Sequence, residues 1–298
     1  MLLVAYGGPR SLDEVEPYLN DVRGGRPTDP EVVEELRERY AAIGGSSPLL
    51  DRTRAQARAL ATALGNDIPV YVGMRHWHPY IADVLGQIRA AGHQRVVAIA
   101  MAPHFSRMSI GAYQHAIDIA QDGICVNLVR QWHDHPGFLD AVAARVREAL
   151  DRFPEAERGS VALIFTAHSL PRRILAEGDP YPDQLQASVD GVLRLIGRSE
   201  AIVAFQSAGR TAEPWLGPDA GEVLRDLAAR GTRNVLLCPI GFVSDHLEVL
   251  YDVDIELQAL AAELHLTLRR TESLNDSPQF ITALSRLSQE TAGAAGWA

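Results

Sequence analysis

Eight short runs made almost wholly of apolar residues recur along this chain: LLVAY (2–6), VYVGM (70–74), VVAIAMA (96–102), CVNLV (125–129), VALIFTA (161–167), AIVAF (201–205), VLLCPI (235–240) and LTLRR (266–270). A strand apolar at nearly every position must be covered on both faces, which is the situation of a parallel sheet flanked by helices. The intervening stretches supply those helices. Apolar residues recur with helical spacing over 50–64, 79–91, 137–152, 183–197 and 219–230, so the chain reads as an α/β protein built from alternating strands and helices.

The pattern occurs twice, with four strands in each half. RVVAIAMAPHFS (95–106) resembles RNVLLCPIGFVS (233–244), and each follows a helical stretch closed by glycine, RAAGH and AARGT. This predicts two similar halves, 1–152 and 153–275, divided at the polar segment RFPEAERGS (152–160). A terminal helix within 276–298 is expected to pack back on the body. Ligands of open parallel sheets sit beyond the carboxyl ends of the strands, so two facing halves would enclose a cleft there.

Charge narrows the partners. The formal net charge is −10 and all 28 basic residues are arginine, so nucleic acid is not an expected ligand and lysine-based covalent chemistry is excluded. No apolar run approaches the roughly 18 residues needed to span a bilayer. The start, MLLVAYGGP, has neither a basic leader nor a cleavage site, and a cytoplasmic protein is expected. The two cysteines, Cys125 and Cys238, fit neither a metal clip nor a disulfide framework and are read as buried strand residues.

The strand-end rule selects Tyr6, the segment RHWH with Arg75, His76 and His78, PHFS with His104 and Ser106, AHSLP with His168, and Asp245, His246 and Glu248. A lone histidine at a strand end is more often a satisfied core residue than a ligand. An acidic stripe such as Glu248, Asp252 and Glu256 is often a solvated helix face. Here the stripe begins directly after an apolar strand, with Leu247, Val249, Leu250 and Tyr251 around Glu248. At steps of four the three carboxylates share one helical face, or nearly so where the helix widens to i→i+5 bonding. Apolar surroundings and neighbouring negative charge are expected to raise the pKa of Glu248 and suit it to proton transfer. Imidazole with carboxylate, without thiolate, suits a divalent first-row ion such as ferrous iron.

Other patterns are weaker. HWH (76–78) and HDH (133–135) have metal-like spacing, but the second precedes PGF and reads as a surface turn. GGSSP (44–48) lacks the strand and lysine of a phosphate loop. AHSLP has no glycine two residues before Ser169 and is not a nucleophile elbow.

AYGGP, YAAIGGSSPL, APHFS, TAHSLP, GDPYPDQL, FQSAGRTAEPWLGPD and GFVSDHLEVLYDVDIE, in this order over residues 5–256, together resemble the ferrochelatase family, lyases that insert ferrous iron into a porphyrin in haem biosynthesis. The resemblance implies a chelatase-like fold of two Rossmann-like halves, each with a four-stranded parallel sheet, and a porphyrin cleft between them. It implies that His168 and Glu248 face the metal centre as catalytic and metal-guiding residues, and that Asp252 and Glu256 form a proton or metal relay. Tyr6 is implied on the opposite face, axial to the porphyrin metal. Arg23, Arg39, Tyr40, Ser47, His76 and Tyr113 match positions that contact the tetrapyrrole or lie near it.

Two residues depart from the family pattern. Gly8 replaces a threonine frequent in bacterial relatives, and Arg210 stands where asparagine is usual. Cysteines that would hold an iron–sulfur cluster are lacking, so no resident cofactor is expected and iron enters as substrate. The interval between GGP and IGG is short and charged rather than a long apolar lip. It resembles the type acting on coproporphyrin III, whose four propionates Arg23, Arg26 and Arg39 would meet. Protoporphyrin IX is the alternative substrate, and a cobalt or nickel tetrapyrrole chelatase or a non-catalytic tetrapyrrole-binding protein is a more distant one. A monomer is expected.

Overall fold

Each of the eight apolar runs forms a strand in the computed structural model, which describes residues 1–209 and 211–297. The first half comprises β1 (Leu2–Ala5), α1 (Val15–Val22), α2 (Pro30–Ala42), α3 (Leu49–Ala63), β2 (Tyr71–Met74), α4 (Ile81–Ala90), β3 (Arg95–Ala100), α5 (Ile110–Ala120) and β4 (Cys125–Val129). The long helix α6 (Pro136–Leu150) and the single turn α7 (Glu155–Arg158) lead out of it. The second half comprises β5 (Ala162–His168), the single turn α8 (Arg173–Ala176), α9 (Tyr181–Ile196), β6 (Ile202–Gln206), α10 (Ala220–Ala229) and β7 (Asn234–Cys238). A π-helix (Glu248–Leu257), α11 (Gln258–Glu263), β8 (Thr267–Arg270) and α12 (Pro278–Ala294) complete the chain.

All strand pairs are parallel, and the two sheets have the same order, β2-β1-β3-β4 and β6-β5-β7-β8. The internal repeat is therefore a repeat of topology, with β3 and β7, the strands of the matching segments, in equivalent places. The helices before them end alike. Gly92 and Gly231 adopt φ of 82° and 84°. This left-handed turn lets the amide of His93 reach Ile88 O and that of Thr232 reach Leu227 O, satisfying carbonyls that the helix end would otherwise orphan.

Period-two alternation divides the central strands between two cores. Leu3, Ala5, Val97 and Ile99 point to the same central cluster as Leu163, Phe165 and Leu236, so the sheets share one core through α6, α9 and α12. Leu2, Val4, Val96 and Ala98 face outward beneath α4 and α5. Ile164, Val235 and Leu237 do the same beneath α10, the π-helix and α11. The terminal helix α12 packs on α3 and α6, and Phe280 stacks on Trp132 with ring centroids 5.9 Å apart. Among the described residues, no helix is long and apolar enough to cross a membrane.

Candidate active site

In a sheet ordered 2-1-3-4 the chain reverses direction between its two central strands, and the gap beyond their carboxyl ends is where a ligand can enter. Each half places its chemistry at this point. Tyr6 follows β1 directly, and the amides of Arg75 and His76 bond to the carbonyls of Ala5 and Tyr6 at 2.9 and 2.8 Å, so Arg75 and His76 are held beside it. His168 is the last residue of β5, and Glu248 opens the π-helix that follows β7. The two clusters face one another. Burial raises the Tyr6, Tyr18 and Tyr40 phenols and the Glu248 charge adds to that rise from across the gap, while the Arg39 side chain reaches over to Asp252.

Nδ1 of His168 lies 2.8 Å from Oε2 of Glu248, with 35% and 30% of the two side chains exposed. An ionised carboxylate only accepts, so Nδ1 carries the hydrogen and Nε2 is the acceptor of the neutral ring. Burial alone would raise the Glu248 carboxyl, as its apolar flanks predict. In the acid range where this carboxyl titrates, His168 is an imidazolium, and its charge, its hydrogen bond, and contributions from His246 and Ser207 outweigh burial and push Glu248 down to about 2. The expectation of a raised Glu248 is thus corrected, because the sequence neighbours supply desolvation while the folded partner supplies opposite charge. Burial also works against the His168 cation, yet the Glu248 carboxylate more than compensates and its pKa is raised.

The raised carboxyl is one turn further on. Asp252 is buried, and that burial, reinforced by the charges of Glu248 and Glu256, pushes it up to about 6 against the pull of the Ser207 hydroxyl and Arg39. Ser207 donates a short hydrogen bond to Asp252 Oδ2 and holds a left-handed backbone, φ 60°. Glu256 is exposed, so the stripe runs from a half-buried pair through a buried carboxyl to solvent. The 10-residue π-helix, with i→i+5 bonding, carries all three. Arg39 is drawn into this line. Its guanidinium lies 3.4 Å from Asp252, 3.5 Å from Glu256 and 3.2 Å from Glu35, and sits 4.9 Å above the ring of Tyr251.

On the opposite wall Tyr6 is 41% exposed, and its ring lies 4.7 Å from that of His76. Nδ1 of His76 is 3.0 Å from Asp21, which also accepts from Tyr80. Tyr40, Ser47 and Tyr113 are buried beneath this wall, and desolvation raises both phenols. Gly8 has a local reason: a Cβ there would come within 2.6 Å of Ser47 Cβ and Oγ. Arg23 is exposed after α1, where its carbonyl accepts from Arg26 at 3.0 Å. Arg210 lies outside the described residues.

Several strand-end residues do not join the cluster. His104 is buried and hydrogen-bonded to Ser188 at 2.9 Å, and desolvation takes its pKa down to about 3. It is a core histidine, and Ser106 beside it bonds Asp179. Asp245 ties the loop after β7 to Asn275, Arg270 and Arg52. His246 bonds Ser244 O and packs on Phe242, near enough to lower Glu248. Cys238 is buried, and burial raises its thiol to about 12, but Cys125 is exposed at the start of the edge strand β4, contrary to the buried reading. Among the described residues, no three His, Cys, Asp or Glu side chains come together as a metal-ligand set.

Residues not singled out from sequence complete the frame. Gln206 donates to Glu248 O at 2.8 Å while accepting from Thr166, and the Tyr181 hydroxyl donates to His168 O at 3.0 Å. Gln206 and Ser207 lie in FQSAGRTAEPWLGPD, and Tyr181 in GDPYPDQL, so the motifs that carried the resemblance held their signal.

A family model described as ferrochelatase matches residues 1–292. A ferrochelatase of Herpetosiphon aurantiacus is 46% identical over 95% of this chain and 96% of its own. A coproporphyrin III ferrochelatase of Anoxybacillus flavithermus is 41% identical over 96% and 93%, and that of Bacillus subtilis 40% over 96% and 95%. Among solved structures, SirB from Bacillus subtilis with Fe3+ superposes with a TM-score of 0.60 at 14% identity, covering 81% of this chain and 90% of that one, a likeness of fold.

Proposed function

Since this chain belongs to the ferrochelatase family, enzymes that insert iron into porphyrin, we propose that it metallates coproporphyrin III with ferrous iron, protoporphyrin IX being the alternative substrate. The observation that carries the reading is the contact between His168 and Glu248 at the switch point of one sheet, set across from Tyr6 at the switch point of the other. Metallation requires removal of two pyrrole protons and a ring bent so that nitrogen lone pairs meet the ion. In this reading Tyr6 supports one face of the ring, axial to the metal position. Nε2 of His168 takes a proton, and the Glu248 carboxylate, ionised down to about 2, stabilises the imidazolium and guides the cation.

Asp252, held near 6, exchanges protons around neutral pH, and Glu256 connects it to solvent. A metal that must leave for the porphyrin calls for few protein ligands, and an imidazole with one carboxylate is such a set, unlike a closed structural site. Tyr40, Ser47, Tyr113 and His76 would shape the ring's periphery. Support for coproporphyrin comes from the charged, exposed segment bearing Arg23 and Arg26, and from relatives named for that substrate. We propose further that the protein is a cytoplasmic monomer without resident cofactor or cluster, divided at 152/153 and 275/276.

The test mixes purified protein anaerobically with ferrous iron and each porphyrin in turn, following the absorbance change. Faster turnover of coproporphyrin III supports the proposal. Preference for protoporphyrin IX overturns the substrate, insertion of cobalt or nickel alone overturns the metal, and binding without metallation overturns the enzyme.

A further inference from the structure

We propose that Arg75 is a carboxylate anchor of the site, pairing with a propionate of the bound tetrapyrrole. Arg39 is held by Asp252, Glu256 and Glu35 and stacks on Tyr251, so its fork is committed to the acidic line. Arg75 is placed differently. It follows β2, fixed by its own amide on Ala5 O, and its side chain spans to the loop after β3, where Nη1 meets Met108 O at 3.5 Å. That contact is at the outer limit of a hydrogen bond and uses one of five N–H donors. Among the described residues, no carboxylate lies within ion-pair distance of it.

The surroundings fit a flat apolar ring with an acidic margin. Tyr6 and Met108, both near this arginine, are 41% and 38% exposed. Burial raises the Tyr6 and Tyr113 phenols, and the guanidinium is near enough to both to oppose that rise, which places positive charge at the cleft wall. A planar fork with free donors binds carboxylate bidentately, and the pairing is strengthened where a ring shields it from water. Arg75 thus becomes a substrate-specificity residue on the wall opposite His168 and Glu248.

This rests on the porphyrin reading, and the experiment separates the two. Coproporphyrin III and its tetramethyl ester, whose carboxylates are masked, are titrated against wild-type, Arg75→Met and Arg75→Lys full-length protein by fluorescence quenching, with anaerobic iron-insertion kinetics alongside. Arg75→Met is expected to weaken coproporphyrin binding and raise KM by about 10- to 100-fold, the scale of a charged hydrogen bond, with kcat largely kept. Ester binding should be unchanged, which also shows that the variant is folded, and Arg75→Lys should fall between. Equal losses for acid and ester, or no loss for either, overturn the anchor. A wild-type protein that neither binds nor metallates porphyrin overturns the reading beneath it.

Discussion

Glu248→Gln removes one charge and almost no volume. Its amide oxygen can still accept from Nδ1 of His168 at the 2.8 Å separation, so what is lost is the electrostatic part of the pair. A carboxyl pushed from its ordinary 4.5 to about 2 corresponds at face value to about 3 kcal/mol of preference for the ionised pair. About a third of each side chain is open to water, so solvent screening reduces this to roughly 1–2 kcal/mol. The depressed carboxyl adds stability above its unfolded pKa and loses it as pH falls from 4.5 toward about 2, so the variant should lack that part of the acid destabilisation. Urea midpoints across this range measure it. Catalysis should suffer far more, because a proton on Nε2 would have no counter-ion. A loss of about 10²- to 10⁴-fold in iron insertion is expected, with porphyrin affinity retained. An insertion rate within about threefold of wild type, in a variant that binds porphyrin normally, would refute the reasoning.

Asp252→Asn tests the relay. A carboxyl raised from 3.8 to about 6 costs stability as pH rises through that interval, so the variant should show a flatter dependence between about pH 4 and 7 in urea melts, together with slower insertion. Gly8→Thr drives a Cβ to within 2.6 Å of Ser47; a loss of about 1–3 kcal/mol in chemical denaturation is expected, with partial recovery in Gly8→Thr/Ser47→Gly.

Legibility in the sequence was uneven for physical reasons. All eight strands were visible because burial on both faces demands apolar runs, and α3, α4, α6, α9 and α10 because their buried faces repeat with helical spacing. The α1 and α2 segments carried less signal: their apolar residues meet a small cluster around Val15, Val33 and Tyr40 rather than a sheet. Positions at strand ends nominated the site, but the same rule also nominated His104, which the packing of α9 turned into a core residue. Nothing local distinguishes His104 from His168, each following an apolar run.

By itself the sequence determined the place of every strand and of α3, α4, α6, α9 and α10, the duplication of topology, the absence of lysine, and the acidic stripe from Glu248 to Glu256. These are properties of neighbours along the chain, and near neighbours are set by spacing. Tertiary structure alone decided what charge each member of the stripe meets. Glu248 finds His168 80 residues away and is depressed, while Asp252, one turn later, is buried beside like charges and raised. Arg39, 213 residues from Asp252, is spent on that line, and Arg75 is left open. Electrostatic character depends on distance and burial in three dimensions, and residue order along the chain contains neither.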